Sequence, residues 1–321
     1  MFRLLFLIFS LFITNLFSKE LVDLYRLEGL KAVETQIEKE LTKKDYWDYV
    51  LKSYDTKFGY IESKKYILFS NKKDKKLFLF KNENKKLEKL FENEVITGEV
   101  EGDKYLEGDK KTPIGVYDLT QKKTKLDQFY GPFALVTSYP NNFDKSMSKK
   151  GHGIWIHGMP LDGKREEFTK GCIALDNEKL IDLGNRINLK DAVLITSENT
   201  FTEASKDELA VILASLNKWK LAWKYSNIDE YLNFYSNEFK RYDGMKIEKF
   251  AQYKKRVFSK DEEKIIRFSN INIYAYPNSL NKRLFRVYMD EFYKSDTLKF
   301  IGNKELIVEI IDNKMKILFE D

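Results

Sequence analysis

The residues best suited to covalent chemistry lie in one stretch of the chain. Residues 151–175 contain the single cysteine, Cys172, and both histidines, His152 and His157, of the 321-residue sequence. A cysteine becomes a strong nucleophile when a neighbouring base, commonly a histidine, takes its proton. The competing interpretation is that Cys172 is a small buried apolar side chain, which is the commonest fate of a lone cysteine.

A glycine beside the thiol favours the nucleophile. Gly171 directly precedes Cys172 and leaves no side chain over the backbone N–H groups of that turn. Such donors can stabilise the oxyanion that forms when a thiolate attacks a carbonyl. A buried structural cysteine has no need of this arrangement.

The segment before His157 has the alternation of a strand. Ile154 and Ile156 point to one face, and Trp155 and His157 point to the other. Gly158 follows and permits a turn in which its carbonyl accepts the Nδ1 proton of His157. That contact would leave the other ring nitrogen as the base.

Two other chemistries fit the sequence less well. A catalytic zinc held by Cys172, His157 and His152 is the main rival, but a spacing of five residues sends the two histidines to opposite faces of a regular strand. A serine hydrolase lacks its G-x-S-x-G motif here. Because three Cys and His residues cannot form a structural zinc site or an intramolecular disulfide, we predict no metal and no cofactor.

The composition is that of a globular protein. Hydrophobic residues make up 43% and aromatic residues 15% of the chain, enough for large buried cores. There are 56 Lys and Arg against 50 Asp and Glu, which gives a net charge of +6 spread along the sequence. This small excess is weak evidence for nucleic acid, and we predict no nucleic-acid partner.

The N-terminus has the layout of a signal peptide. Arg3 precedes an apolar run from Leu4 to Phe17, and Ser18 offers a small residue at the cleavage position. The run is shorter than the roughly 20 residues that span a bilayer. We therefore predict a signal peptide over residues 1–18 and export of the protein, with an uncleaved anchor as the alternative.

The remaining chain divides into three regions of an α+β protein. Residues 19–58 show helical spacing, and we predict that this short segment packs on the rest of the chain or forms a homodimer contact with another copy. Residues 59–200 contain short strands and turns, which predict a sandwich-like or barrel-like β domain. Residues 201–321 begin with an amphipathic helix and continue into long strands, which predicts an α+β domain.

Individual strands are also predicted. In the β domain we place them at Tyr66–Phe69, Leu77–Phe80, Glu94–Thr97, Gly115–Leu119, Phe133–Ser138, Gly153–His157 and Ala192–Thr196, the first two as a hairpin. In the C-terminal domain we place them at Ile265–Tyr276, Leu284–Tyr293, Lys299–Ile310 and Lys314–Phe319.

Two motifs resemble a known family. His157-Gly158, a ten-residue spacer and then Thr169-Lys170-Gly171-Cys172-Ile173 resemble the HG…[S/T]-x-G-C-[I/V] signature of the YkuD-type L,D-transpeptidase domain. Upstream, the stretch from Thr112 to Tyr117 resembles the T-P-x-G-x-[YF] motif of that family. The resemblance covers roughly residues 60–200.

The resemblance implies a mostly β catalytic domain that acts on peptidoglycan stem peptides. By position, it makes Cys172 the nucleophile, His157 the general base and acid, Gly158 the carbonyl that orients His157, and Gly171 part of the oxyanion site. The residues expected around the substrate are Trp155, Thr169, Lys170, Tyr139, His152 and Ala174.

Ala174 is the one departure from the family pattern. Family members usually carry Arg two residues after the cysteine, where it could form bidentate bonds to a carboxylate. Charged residues in the flanking segments could replace it, although each is also an ordinary loop charge; they are Lys149, Lys150, Lys164, Arg165 and Lys170.

The whole chain resembles a narrower subgroup, the periplasmic L,D-carboxypeptidases that trim stem tetrapeptides in helical Gram-negative bacteria. Its C-terminal region resembles a nuclear-transport-factor-2-like cone, and such a cone could hold a small ligand. The expected reaction is release of terminal D-alanine through a Cys acyl-enzyme. The alternatives are an L,D-transpeptidase that forms 3-3 cross-links and a non-catalytic peptidoglycan-binding scaffold.

Overall fold

The computed structural model describes residues 19–162, 166–260 and 262–321. The predicted signal peptide, residues 1–18, lies outside this range, as do Lys164 and Arg165. None of the helices within the described ranges is both long enough and apolar enough to cross a membrane.

The N-terminal segment is helical, as predicted. Residues 19–28 are helical. They are followed by helix α1 (Leu30–Leu41), helix α2 (Lys44–Leu51) and the short strand β1 (Gly59–Ile61).

The middle of the chain forms an eight-stranded sheet. Its strands are β2 (Tyr66–Asn71), β3 (Lys76–Glu83), β4 (Lys86–Glu94), β5 (Gly115–Lys123), β6 (Ala134–Thr137), β7 (Trp155–His157), β8 (Ile173–Ala174) and β9 (Ala192–Ser197). Their order in the sheet is β4-β3-β2-β9-β5-β6-β7-β8. Two short helices lie in the connections, α3 (Asn142–Ser146) and α4 (Asn177–Arg186).

The C-terminal region combines three helices with long strands. The helices are α5 (Lys206–Lys224), α6 (Ile228–Asn233) and α7 (Ile247–Phe258). The strands are β10 (Tyr235–Arg241), β11 (Ile265–Tyr276), β12 (Leu284–Lys294), β13 (Lys299–Ile311) and β14 (Lys314–Glu320). With β1 they form a six-stranded sheet in the order β1-β11-β12-β13-β14-β10.

Local sequence explains where helix α5 begins. Helix α5 begins after Ser205, whose hydroxyl accepts the N–H of Glu208 while the Glu208 carboxylate accepts the N–H of Ser205. This capping box satisfies donors that a helix start leaves unpaired.

The predicted β2–β3 hairpin and the four predicted C-terminal strands are confirmed to within a few residues.

Six strands and helices of the described residues are missing from the sequence prediction, namely β1, β4, β8, β10, α3 and α7. Strand β4 carries mostly charged residues and lies at the edge of its sheet, where both faces tolerate polar side chains. The strand predicted for Glu94–Thr97 is wrong by a shift, because β4 ends at Glu94. The residues that follow form only isolated bridges, Ile96 with Ala174 and Gly98 with Thr169.

The N-terminal segment packs on the C-terminal domain. Trp47 and Leu51 of α2 are buried in the same core as α5. Strand β1 pairs with β11, Gly59 opposite Tyr274. Residues 59–61, at the start of the predicted β domain, thus pair with a strand from the far end of the chain.

The core of the C-terminal domain contains a buried charged cluster. Lys304 Nζ lies 2.8 Å from Glu320 Oε1 and 3.7 Å from Glu291. Tyr235 donates to Glu320 over 2.6 Å. Lys254 Nζ lies 4.9 Å from the ring centroid of Trp223. Because every charge here has a polar or aromatic neighbour, the cluster can remain inside an otherwise aromatic core.

Polar contacts join the two sheets. Arg286 of β12 is 3% exposed. Its guanidinium lies 2.7 Å from Asp118 of β5 and 2.7 Å from Glu305 of β13. A buried arginine between two carboxylates holds both of them at a fixed distance and angle. The eight-stranded sheet and the C-terminal sheet are therefore held in a fixed relative position.

Candidate active site

Strands β7 and β8 bring the predicted nucleophile and base to one face of the sheet. The strands pair in parallel, with Ile156 beside Ile173 and His157 beside Ala174. Ile156 and Ile173 are fully buried in the core of the β domain. Because side chains alternate along a strand, His157 and Ala174 lie on the opposite face. Cys172 directly precedes β8, and the same alternation, continued by one residue, places it on the face of His157 and Ala174.

The hydrogen bond predicted for His157 is present. Its Nδ1 lies 2.7 Å from the carbonyl oxygen of Gly158. A carbonyl can only accept, so Nδ1 carries the proton and Nε2 of the neutral ring is the acceptor. The imidazole is fully buried, which protects this orientation from competition by water.

Gly158 is required for a reason other than the one predicted. A Cβ at this position would lie 2.0 Å from Asn177 Oδ1 and 3.0 Å from Pro132 Cδ. Asn177 Oδ1 accepts the N–H of Met159 over 2.9 Å, so it cannot move away without losing that bond. Close packing, rather than turn conformation, therefore demands glycine beside His157.

Tyr130 is a functional neighbour that the sequence analysis missed. Its ring meets the His157 ring edge-on at 5.0 Å, and its carbonyl accepts the N–H of Gly158 over 2.9 Å. It belongs to a short 3₁₀ segment, Gln128–Tyr130. The available signal was the aromatic pair Phe129-Tyr130 directly before Gly131.

The turn that carries Cys172 is shaped by Thr169. The Thr169 hydroxyl donates to the carbonyl of Cys172 over 2.7 Å and accepts the N–H of Gly171 over 2.9 Å. Thr169 is only 2% exposed. Its side chain therefore organises the turn and does not make the substrate contact that was expected. The N–H of Gly171 is bonded inside the turn, and the oxyanion role predicted for the Gly171 region stays a prediction.

The glycine at position 171 also answers a steric demand. Its φ is +130°, and a Cβ would lie 2.7 Å from the carbonyl oxygen of Lys111. The same Cβ would lie 3.1 Å from Ile154 Cδ1. The turn is thus pressed against the segment before β5, and only glycine allows that approach.

The thiol itself is partly exposed. Cys172 Sγ lies 3.5 Å from the carbonyl oxygen of Gly153, within reach of a weak S–H donor. A substrate can therefore reach the sulfur from solvent while the base lies inside the domain. This is the exposure pattern of a reactive cysteine rather than of a buried apolar one.

Trp155 and Lys170 lie at the surface of the site. Trp155 is half-buried, and its ring meets Tyr130 at 5.1 Å. The ammonium of Lys123 lies 4.7 Å from the centroid of the Trp155 indole. Lys170 is exposed. An aromatic wall with a nearby cation is therefore available beside the catalytic face.

His152 lies apart from this arrangement. Its Nε2 lies 3.3 Å from a carboxylate oxygen of Glu107, and the two side chains are 71% and 73% exposed. Within residues 19–162, 166–260 and 262–321, no group of three or more His, Cys, Asp or Glu side chains could hold a metal ion. The zinc hypothesis with Cys172, His157 and His152 thus has no ligand set in this part of the chain.

Comparison with known proteins decides the family. A model of the L,D-transpeptidase catalytic domain (YkuD) matches residues 64–195. The crystal structure of the helical cell shape determining protein Pgp2 from Campylobacter jejuni is 44% identical, with a TM-score of 0.83, and covers 87% of this chain and 99% of that one. A structure of a point mutant of Pgp2 gives the same identity and a TM-score of 0.84. The chain belongs to the YkuD-type L,D-transpeptidase family.

Further matches describe the rest of this L,D-transpeptidase family member. A model of the Cds6 C-terminal NTF2-like domain matches residues 211–321. The structure of Bd1075 from Bdellovibrio bacteriovorus is 26% identical with a TM-score of 0.64, covering 81% of this chain and 92% of that one. A comparison with curated proteins found no match. The predicted fold class, with a nuclear-transport-factor-2-like domain after the catalytic one, is confirmed.

Family membership fixes the broad function. The protein has the fold of a cysteine enzyme of the L,D-transpeptidase family, and its function is related to peptidoglycan. Because peptidoglycan lies outside the cytoplasmic membrane, this function implies a periplasmic or extracellular location.

Two residues expected around the substrate are buried. Tyr139 is 5% exposed and its hydroxyl donates to the carbonyl of Lys104 over 3.0 Å. Ala174 is fully buried, and its backbone pairs with Ile96. Both therefore belong to the packing of the domain, which corrects the expectation of substrate contact. Lys149, one candidate replacement for the family arginine, is 4% exposed and cannot reach a ligand.

Proposed function

We propose that this protein is a peptidoglycan L,D-carboxypeptidase that removes terminal D-alanine from stem tetrapeptides and thereby influences cell shape. The observation that carries the proposal is the His157–Gly158 contact of 2.7 Å on the strand face shared with Cys172. Similarity over nearly the full length of a helical cell shape determining protein supports the proposed part in cell shape.

The acylation step uses the two side chains in turn. His157 Nε2 takes the proton of Cys172, and the thiolate attacks the carbonyl that joins the L-centre of meso-diaminopimelate to D-alanine. The resulting oxyanion collapses, the C–N bond breaks, and D-alanine leaves with the proton from His157. The product is a thioester between the tripeptide and Cys172.

The deacylation step restores the enzyme. Water attacks the thioester while His157 takes one of its protons, and the tripeptide leaves as a carboxylic acid. The proton on His157 returns to Cys172. Burial of His157 keeps its Nδ1–H on Gly158 throughout, so that Nε2 alone exchanges protons.

Substrate binding is assigned to the exposed side of the site. Trp155 and Tyr130 supply an aromatic wall, and Lys123 adds a positive charge 4.7 Å from the Trp155 ring. Lys170 extends this surface beside the thiol. A stem peptide ends in a carboxylate, so a lysine here takes the part of the family arginine that Ala174 lacks.

One experiment tests the reaction. Residues 19–321 are purified and incubated with disaccharide tetrapeptides, and the products are resolved by mass. We expect loss of one D-alanine. A dimeric product would instead support the transpeptidase, and an unchanged substrate would leave only the scaffold hypothesis.

Two controls sharpen the result. Cys172→Ala should abolish the product while the thermal unfolding midpoint stays close to that of the wild type, and retained activity would refute the nucleophile assignment. A chelator should leave the rate unchanged, because the proposed reaction uses no metal.

The remaining expectations concern location and partners. We propose that residues 1–18 direct export to the periplasm. A homodimer through the N-terminal helical segment is supported by large apolar side chains there that are 59–70% exposed: Val22, Tyr25, Leu27 and Leu30. Light scattering of the wild type and of Leu27→Glu tests it. The small ligand of the C-terminal domain stays a prediction.

A further inference from the structure

A buried triad of charges lies outside the catalytic pair. The ammonium of Lys149 lies 2.8 Å from Asp103 Oδ2 and 2.9 Å from Asp144 Oδ1. The side chains of Lys149, Asp103 and Asp144 are 1%, 3% and 0% exposed, respectively. Burying a charge is costly unless it is paired and hydrogen-bonded, so these three side chains must stay together. The segments that carry them are therefore held together as well.

Asp103 fixes the segment that packs against residues 169–172, the nucleophile turn. Its Oδ1 accepts the N–H groups of Lys104 over 2.8 Å and Ile114 over 2.9 Å. These bonds close the loop between residues 103 and 114. The loop contains Lys111, whose carbonyl lies against Gly171. Asp103 thus sets the surface on which the turn before Cys172 rests.

Asp144 and Lys149 fix a second segment that reaches the thiol. The N–H of Lys149 donates to the carbonyl of Asp144 over 3.0 Å. From Lys149 the chain runs directly to Gly153, whose carbonyl lies 3.5 Å from Cys172 Sγ. The N–H of Lys150 donates to the Tyr105 carbonyl over 2.8 Å, which joins this segment to the first one.

The C-terminal domain reaches the same triad. Ser279, in the turn between β11 and β12, donates to Asp103 Oδ2 over 3.2 Å. The hydroxyls of Ser279 and Tyr105 lie 3.3 Å apart. A movement of this turn would therefore act on the carboxylate that Lys149 also binds.

We propose that Lys149 is a positioning residue for Cys172. By holding Asp103 and Asp144 together it fixes the two segments that contact the nucleophile turn, and through Ser279 it ties their placement to the C-terminal domain. The inference rests on the proposed function for the reaction that is positioned. The physical reason is that a misplacement of about 1 Å can cost about 100-fold in rate.

The charge state of Lys149 suits this role. Burial opposes its charge, but Asp144 and Asp103 outweigh burial and raise the pKa of Lys149 above its usual value. Lys149 therefore stays protonated at neutral pH.

The test compares Lys149→Met with Lys145→Met. Lys145 is an exposed lysine of α3, next to Asp144 in sequence, and serves as the matched control. In Lys149→Met we expect kcat for D-alanine release to fall about 30-fold to 100-fold, with KM changed less than about threefold. In Lys145→Met both should stay within about twofold. A folded Lys149→Met protein with wild-type kcat would overturn the proposal.

A second measurement does not depend on the substrate. The rate of Cys172 alkylation by iodoacetamide is measured against pH in the wild type and both variants. We expect Lys149→Met to slow alkylation near neutral pH and to shift its pH profile, since a displaced turn separates the thiol from His157. If the wild type released no D-alanine, the proposed function would fail, while this comparison would still decide the positioning role.

Two milder variants cover the case in which Lys149→Met does not fold. Asp103→Asn keeps the Lys149–Asp144 pair and should lower kcat about 10-fold, with slower alkylation. Wild-type values for both would overturn the proposal. Ser279→Ala removes one exposed hydroxyl and should lower kcat about twofold to fivefold; an unchanged kcat would refute the link to the C-terminal domain.

Discussion

The carbonyl oxygen of Lys111 lies 2.7 Å from the place where Gly171 would carry a Cβ. The two residues belong to segments that are distant in sequence, and their contact places a backbone wall directly beside the nucleophile turn. Gly171 also has a φ of +130°, a region that side chains rarely adopt. Position 171 is therefore constrained twice, by conformation and by space.

Gly171→Ala tests this contact. We expect a loss of about 1–3 kcal/mol in the free energy of unfolding and a fall of at least about 10-fold in kcat, because the turn must move away from Lys111. The measurements are urea unfolding and D-alanine release. Gly244→Ala is the control, since Gly244 has a φ of +85° but open space around its Cβ. It should lose stability without losing activity; equal activity loss in both would contradict the explanation.

Thr169→Val tests the hydrogen bonds inside the turn. Valine keeps the shape but removes the hydroxyl that bonds Gly171 N–H and the Cys172 carbonyl. We expect a cost of about 1–3 kcal/mol in unfolding free energy and a lower kcat, because a buried donor and acceptor lose their partners. Thr169→Ser retains the hydroxyl and should behave nearly as the wild type. If Val and Ser variants were equally active, the hydroxyl would not be what shapes the turn.

Lys123→Met tests the proposed carboxylate contact. The Lys123 ammonium lies 4.7 Å from the Trp155 ring, whereas that of the adjacent Lys122 lies 4.0 Å from the Phe133 ring. We expect Lys123→Met to raise KM about threefold to fivefold with kcat unchanged, as for one exposed ion pair. Lys122→Met should leave KM unchanged. Steady-state kinetics at low and high salt measure KM for both variants. Equal effects of the two substitutions on KM would exclude a specific contact of Lys123 with the substrate carboxylate.

Acid stability should depend on Glu320. Burial opposes its ionisation, but Lys304 and Lys254 outweigh burial and lower the pKa of Glu320 from 4.5 to about 2. Since the folded pKa is below the unfolded one, ionised Glu320 stabilises the fold above about pH 4.5. This contribution, on the order of 3 kcal/mol, is lost as the pH falls from 4.5 towards 2.

Urea unfolding at pH 7, 4.5 and 3 measures this effect. In Glu320→Gln the stability should already be lower at pH 7 and should change less between pH 4.5 and 3. Glu92→Gln is the control, because the pKa of Glu92 is also lowered to about 2, by Lys76 and Lys89, but its carboxylate is at the surface. Parallel pH profiles for the wild type and Glu320→Gln would contradict the assignment.

The sequence by itself singled out Cys172 and His157 as the proposed catalytic pair and determined most of the strands. Cys172 and His157 each lie next to a glycine in a short motif, and the alternation of residues 153–157 was enough to set the face of His157. These features depend on neighbours within a few positions, where backbone geometry dictates direction. The long C-terminal strands were found for the same reason.

Only the tertiary structure decided what supports that pair. Tyr130 reaches His157, and Lys149 reaches Asp103, because segments that are distant in sequence pack together in the fold. Strand β1 likewise joined the C-terminal sheet, and Tyr139 and Ala174 turned inward. A lysine flanked by loop residues has the same local pattern whether it meets solvent or two carboxylates. Its burial is set by the packing of the whole chain, which no short stretch of sequence contains.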